Sequence, residues 1–204
     1  MNSAQVDAML LYLPAAAVLT VTPGTDTVLV LRSASSGGAR AGVLAALGVA
    51  LGCAVWAGLA AFGLAALVAA SQLAYAALKW AGALYLFWLG ARALLRPRTA
   101  LTASAKMRAA TFADGLLTNM LNPKVGVFYV SFLPQFIPVG APVASTVLLL
   151  GAVHVTLSIV WLCLLAYAAH AMSSALQRPR LISVLDRVTG ALFIAFGIRL
   201  IAVA

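Results

Sequence analysis

The sequence predicts an all-α integral membrane protein: about six transmembrane helices built as two inverted three-helix repeats, with spans one and four broken at Pro-containing motifs. Three observations predict it. The 204 residues are 64% hydrophobic and only 8% charged, with a mean hydropathy of +1.08, whereas a soluble domain carries about 25% charged residues. The sparse basic residues gather in alternate connections between long apolar runs. Two helix-breaking stretches, Thr22-Pro23-Gly24-Thr25-Asp26-Thr27 and Asn122-Pro123-Lys124, sit 100 residues apart inside such runs.

At about 20 residues per crossing plus connections, this length allows roughly six helices and no soluble domain. Residues 1–204 are therefore read as one transmembrane domain. The spans fall at roughly 6–31, 42–70, 72–95, 111–136, 143–170 and 182–203, each long and nearly free of charge. Helices are the consistent choice, because a membrane-spanning barrel shows alternation instead. Met1–Val6 carries no Lys or Arg, so the first span is expected to be retained rather than cleaved as a signal.

Arg32 and Arg40 lie between spans one and two. Arg92, Arg96, Arg98, Lys106 and Arg108 lie between three and four, and Arg178, Arg180 and Arg187 between five and six. The opposite connections, Ala70-Ser71-Gln72 and Ile137–Pro142, have no basic residue. The positive-inside rule places the basic loops in the cytoplasm and both termini outside, with Lys79 and Arg199 running against the pattern. The net charge of +9 thus reflects orientation in a lipid bilayer and implies no nucleic acid.

The linker at about 96–110 separates halves of about 1–95 and 111–204, three spans each. Three is odd, so the second half enters the membrane from the opposite face, the inverted-repeat plan of many secondary carriers. Gly82-Ala83-Leu84-Tyr85-Leu86 of span three is echoed by Gly190-Ala191-Leu192-Phe193-Ile194 of span six, and Pro23 by Pro123.

Proline removes a backbone donor and glycine loosens the chain, so each break frees carbonyls and amides from the helix ladder. Freed groups persist at membrane depth only where they face protein or a watery cavity. Asp26 lies six residues before Arg32, about 9 Å of helical rise, in the cytoplasmic half. A group able to gain and lose a proton there suits a proton-coupled carrier; equally, Asp26 could cap the resumed helix, helped by Thr25 or Thr27. The second break offers Asn119, Asn122, Pro123 and Lys124. Lys124 could neutralise Asp26, bind a substrate carboxylate or cap carbonyls freed by Pro123. Broken helix ends present donors to anions and acceptors to cations, so paired breaks suit an amino acid, which carries both charges.

Asp114 is a candidate gate or a cap at the start of span four, and Asp186 reads as a surface cap of span six. Gly38, Gly42, Gly48 and Gly52 have the four-residue spacing that lets helices pack closely. Trp56, Trp80, Trp88 and Trp161 read as belt or core. His154 reads as buried and alone, His170 as interfacial. Cys53 and Cys163 show neither Cys-x-x-Cys nor zinc spacing and read as packing residues. No metal and no cofactor are expected.

Pro23-Gly24-Thr25-Asp26 resembles the Pro-Gly-Pro-Asp/Asn signature of the LysE/RhtB amino-acid exporters. Gly38-x-x-x-Gly42 and Gly48-x-x-x-Gly52 are similar to that family's second-span pattern, and Lys79-x-x-Gly82-x-x-Tyr85-Leu86-x-x-Leu89-Gly90 to its third-span signature. Asn119-x-x-Asn122-Pro123-Lys124 followed by Phe132-Leu133-Pro134-Gln135-Phe136 resembles its fourth. The resemblance implies a multi-pass carrier of the bacterial inner membrane, not an enzyme, exporting amino acids or derivatives against protons. It implies that Pro23, Gly24, Asp26, Asn122, Pro123 and Lys124 line or shape the pathway. Thr25 stands where the family usually has proline, which softens the break and adds a hydroxyl.

Export of metal ions or another small solute is the alternative, although no cluster of soft ligands is evident. An intramembrane thiol redox carrier is a further one, resting on Cys53 and Cys163 in matching spans without an activating motif. ATP-driven transport lacks its phosphate-binding loop. Homo-oligomers through the glycine faces are conceivable from the sequence.

Overall fold

A computed structural model describes residues 3–97, 110–138, 140–169 and 178–202, and all regular structure among them is helical. The central linker with Arg98, Lys106 and Arg108, together with His170, lies outside the described residues, as do the side chains of Lys79 and Arg199.

The chain opens with α1 (Ser3–Val21), breaks, and resumes as α2 (Thr25–Ala70). It continues through α3 (Gln72–Leu95), α4 (Phe112–Met120), α5 (Pro123–Val127), α6 (Val143–Tyr167) and α7 (Pro179–Ala202). Between α5 and α6 the chain runs through a π-helical turn, Phe128–Phe132, and a 3-10 turn, Leu133–Phe136. Pro134 explains both: its ring cannot accept a regular helical neighbourhood, so the ladder widens before it and tightens after it. Span four therefore has a longer irregular stretch than the single break at Pro123 predicted.

α2, α3, α6 and α7 are each long and apolar enough to cross a membrane, and Ala8–Val21 of α1 forms a shorter apolar stretch. Their outer faces carry exposed Leu10, Leu47, Leu59, Phe62, Leu84 and Leu164. In water such a surface would collapse; against lipid it is the expected solvent-facing side.

α2 is two helices rather than one. Gly38 has φ 77° and ψ 173°, a left-handed value that side chains strongly disfavour. A Cβ on Gly42 would sit 2.8 Å from the Ala34 Cβ, whereas residues eight apart in a straight helix are separated by about 12 Å. The chain thus doubles back at Gly38, giving a short arm, 25–37, and a long arm, 39–70. This corrects the packing role expected of Gly38. No described atom lies within 4 Å of its would-be Cβ, so the turn, not a helix contact, accounts for the glycine.

The other glycines of the series lie at contacts. A Cβ on Gly48 would fall 2.0 Å from the Phe112 carbonyl oxygen, one on Gly115 2.2 Å from that of Ala45, and one on Gly52 2.5 Å from Asn119 Oδ1. Backbone against backbone, the long arm of α2 and α4 run parallel at a separation no larger residue permits. On its other side the long arm meets α6 in the antiparallel sense, Gly42 against Ala166 and Ala57 against Gly151. α3 and α7 form a second antiparallel pair, closest where Gly90 and Gly190 face each other. The long arm of α2, clamped between α4 and α6, is the rigid member against which the broken segments are placed.

Candidate functional site

The first break follows from Pro23. In an unbroken helix the N–H of residue 23 would bond the carbonyl of Leu19, and proline has no N–H. α1 ends at Val21, with Thr22 closing its last turn through N and Oγ1, both bonded to the Val18 carbonyl. The Leu19 and Thr22 carbonyls are left to find other donors. Lys124 supplies them: its Nζ donates to Leu19 O at 2.8 Å and to Thr22 O at 2.9 Å. The sequence left three partners open to Lys124; the carbonyls it caps here are those freed by the opposite break and not those freed by Pro123.

The second break returns the favour. Asn122 caps α5, its Oδ1 accepting from Lys124 N at 3.1 Å. Its Nδ2 reaches across to Asp26 Oδ1 at 3.2 Å, and Asn119 Nδ2, one turn earlier, donates to Asp26 Oδ2 at 2.9 Å. The breaks are thus cross-linked in both directions, the cation of one holding the carbonyls of the other and the amides of the second holding the anion of the first. Asp26 stands in the first turn of α2, where the helix dipole favours a negative charge. Gly24 is the N-cap residue and no side chain caps α2, so the capping role considered for Asp26 is not what the structure shows. Thr25 is exposed and touches Asp26 through Oγ1 at 3.4 Å.

Asn119 is fully buried, and its Oδ1 finds no donor among the described residues. Its Nδ2 is shared between Asp26 and the Cys53 sulfur, 3.4 Å away. An orphaned buried acceptor costs about 1–3 kcal/mol, and here it stands beside an amide turned toward the carboxylate.

These groups surround a cavity of about 40 Å³. Asp26, Lys124, Asn122 and Gly24 line one side; Val49, Cys53, His154, Ser158 and Leu162 line the wall made by α2 and α6. A water needs at least roughly 10–15 Å³, so the cavity is large enough to be hydrated. Lys124 acts electrostatically on both Asp26 and His154.

His154 is not alone: its Nδ1 lies 2.9 Å from the Tyr129 hydroxyl, and the Phe128 ring packs 4.4 Å from its own. Nothing in the spacing of 25 residues announces that pair. The Thr22 and Thr189 hydroxyls also meet, tying the first break to α7. One turn before Thr189 stands Asp186, only 5% exposed. That corrects the expected surface cap: α7 starts at Pro179, a residue suited to a first helical turn, which puts Asp186 two turns inside. Asp114 lies apart from the cavity and forms a capping box with Thr111, accepting from Thr111 N and Oγ1 at 2.8 Å each. Pro23 is buried beside the site, while Pro123 is exposed and opens α5.

A profile of the LysE type translocator family matches residues 17–203. The chain is 34% identical over 205 residues to the leucine efflux protein of Salmonella typhimurium, covering 93% of this chain and 92% of that one. It is 32% identical over 195 residues to the leucine efflux protein of Enterobacter sp. (strain 638), again covering 93% and 92%. It is 29% identical over 203 residues to the uncharacterized membrane protein YrhP of Bacillus subtilis (strain 168), covering 94% and 97%. No solved structure matches significantly. The chain belongs to the LysE type translocator family and is a membrane transporter, not an enzyme.

Proposed function

We propose that this LysE-family chain is a secondary transporter that exports amino acids or their derivatives from the cytoplasm across the bacterial inner membrane by proton antiport. The observation that carries the reading is the reciprocal link between the breaks: an ammonium on backbone carbonyls and a carboxylate on two amides, both lining one cavity. A substrate carboxylate can draw Lys124 from Leu19 and Thr22. A substrate ammonium can take the place at Asp26 that a proton would otherwise occupy. Two occupants competing for one carboxylate is the simplest physical basis for antiport. The leucine efflux relatives support an amino acid as cargo.

The cavity is too small for an amino acid as it stands, so loading requires movement. The broken segments can move with little loss, since their backbone bonds are already replaced by side chains, whereas the glycine-packed α2, α4 and α6 resist separation. In this reading the short arm of α2 completes span one, the chain crosses six times as two inverted halves, and both termini are periplasmic. Impermeant labelling of single-cysteine variants at each end of the chain tests the orientation; protection of both ends from the periplasmic side would overturn it.

Transport is tested with inside-out vesicles and a labelled amino-acid panel. A lumen-acid gradient is expected to drive accumulation, since protons leaving the lumen exchange for substrate entering it. Reversing the gradient should abolish the accumulation. Absence of uptake for every amino acid, with the protein correctly inserted, would rule the amino-acid reading out.

A further inference from the structure

With the charged groups of an amino acid held at the breaks, its side chain has to lie against what remains of the cavity, the wall contributed by continuous helices. There Val49 of α2 and Leu162 of α6 present apolar side chains, 1% and 4% exposed. We propose that Val49 and Leu162 form the side-chain subsite and set the largest side chain this transporter exports. The proposal rests on the amino-acid reading above.

The backbone behind these residues cannot recede. A Cβ on Gly115 would lie 3.1 Å from Val49 N, so α4 presses directly on the helix that carries Val49. One turn from Leu162, Ala166 meets Gly42, where an added Cβ would lie 2.8 Å from the Ala166 Cβ. Val49 therefore stands beside the close α2–α4 contact and Leu162 beside the close α2–α6 contact, opposite segments whose helices are broken. Such a site has one movable jaw, which grips the charged groups, and one fixed jaw, which measures the side chain. At crystal-like packing density a further methylene has no room unless wall atoms are displaced, and hydrophobic pockets discriminate about 10–200-fold per methylene.

Neither Val49 nor Leu162 hydrogen-bonds through its side chain, so exchanging them leaves the Asp26 and Lys124 contacts in place. The test compares vesicle uptake of alanine, valine, leucine and phenylalanine by the wild type, Val49→Ala, Leu162→Ala and Val49→Leu. Leu164→Ala, on the exposed face of α6, is the control. Each variant is read as a ratio between substrates, which the amount of inserted protein does not alter.

The two alanine variants should raise phenylalanine uptake relative to leucine by about tenfold or more. Val49→Leu should lower leucine relative to alanine by a similar factor, and because it adds atoms it also covers a truncated variant that fails to insert. Ratios unchanged within about twofold of a transporting wild type, in every variant that inserts, would overturn the subsite while leaving the function standing. A wild type that transports no amino acid would overturn both.

Discussion

Asp26→Asn is expected to abolish gradient-driven accumulation while leaving the protein inserted and folded. The two side chains have nearly the same shape, so packing is preserved. The chemistry is not: an asparagine cannot exchange a proton, and while its oxygen still accepts from one of the amides that now reach Asp26 at 2.9 Å and 3.2 Å, from Asn119 and Asn122, its NH₂ group faces the other, donor against donor. In the antiport reading the pH gradient loses its point of purchase on the substrate. Accumulation should fall at least about tenfold, equivalent to about 1.4 kcal/mol of coupling. Exchange of labelled for unlabelled substrate, which needs no net proton movement, should decline less. Full accumulation by the variant would remove Asp26 from the mechanism.

Lys124→Ala should affect both stability and transport. It takes away two charge-assisted hydrogen bonds, to Leu19 O and Thr22 O, each worth about 1.5–3 kcal/mol. It also leaves those carbonyls dependent on whatever water the cavity admits. A loss of about 3 kcal/mol overall corresponds to a factor of about a hundred. It should appear as a lowered melting temperature in detergent and as a comparable fall in uptake. Lys106→Ala, a charge in the linker sequence, is the comparison: it removes a positive charge from outside both break motifs. Equal effects of the two substitutions on uptake would show that Lys124 has no particular part in transport. A fall in stability with transport intact would make it a structural clamp alone.

The two faces of Lys124 show where sequence reasoning reaches its limit. A lysine beside a proline deep in an apolar run is conspicuous, and the need to satisfy it there is a matter of desolvation that composition alone makes plain. Which carbonyls it satisfies depends on α1 lying beside α5, a contact between residues more than a hundred apart. Gly38 teaches the same lesson from the other direction. Its four-residue spacing from Gly42 matches a packing stripe, yet its backbone is left-handed; spacing records which residues lack side chains and not why. Asp186 moved inward because the start of α7 is fixed by Pro179, which apolar periodicity does not count. Tyr129 and His154 were invisible as a pair, since neither has a local motif.

The sequence by itself determined the solvent of this protein and the positions of its breaks. Hydropathy, charge placement and the chemistry of proline and glycine act within a few residues and need no partner to be read. It also brought forward Asp26, Asn119, Asn122 and Lys124 as residues that an apolar run would not carry without reason. Only the tertiary structure decided how the breaks complete each other, which glycines are contacts and which is a turn, and that His154, Ser158 and Cys53 join the same cavity. Those facts rest on distances between helices distant in the chain. Such distances are set by the close packing of small residues over whole interfaces, a property of the assembled surface that no single segment contains.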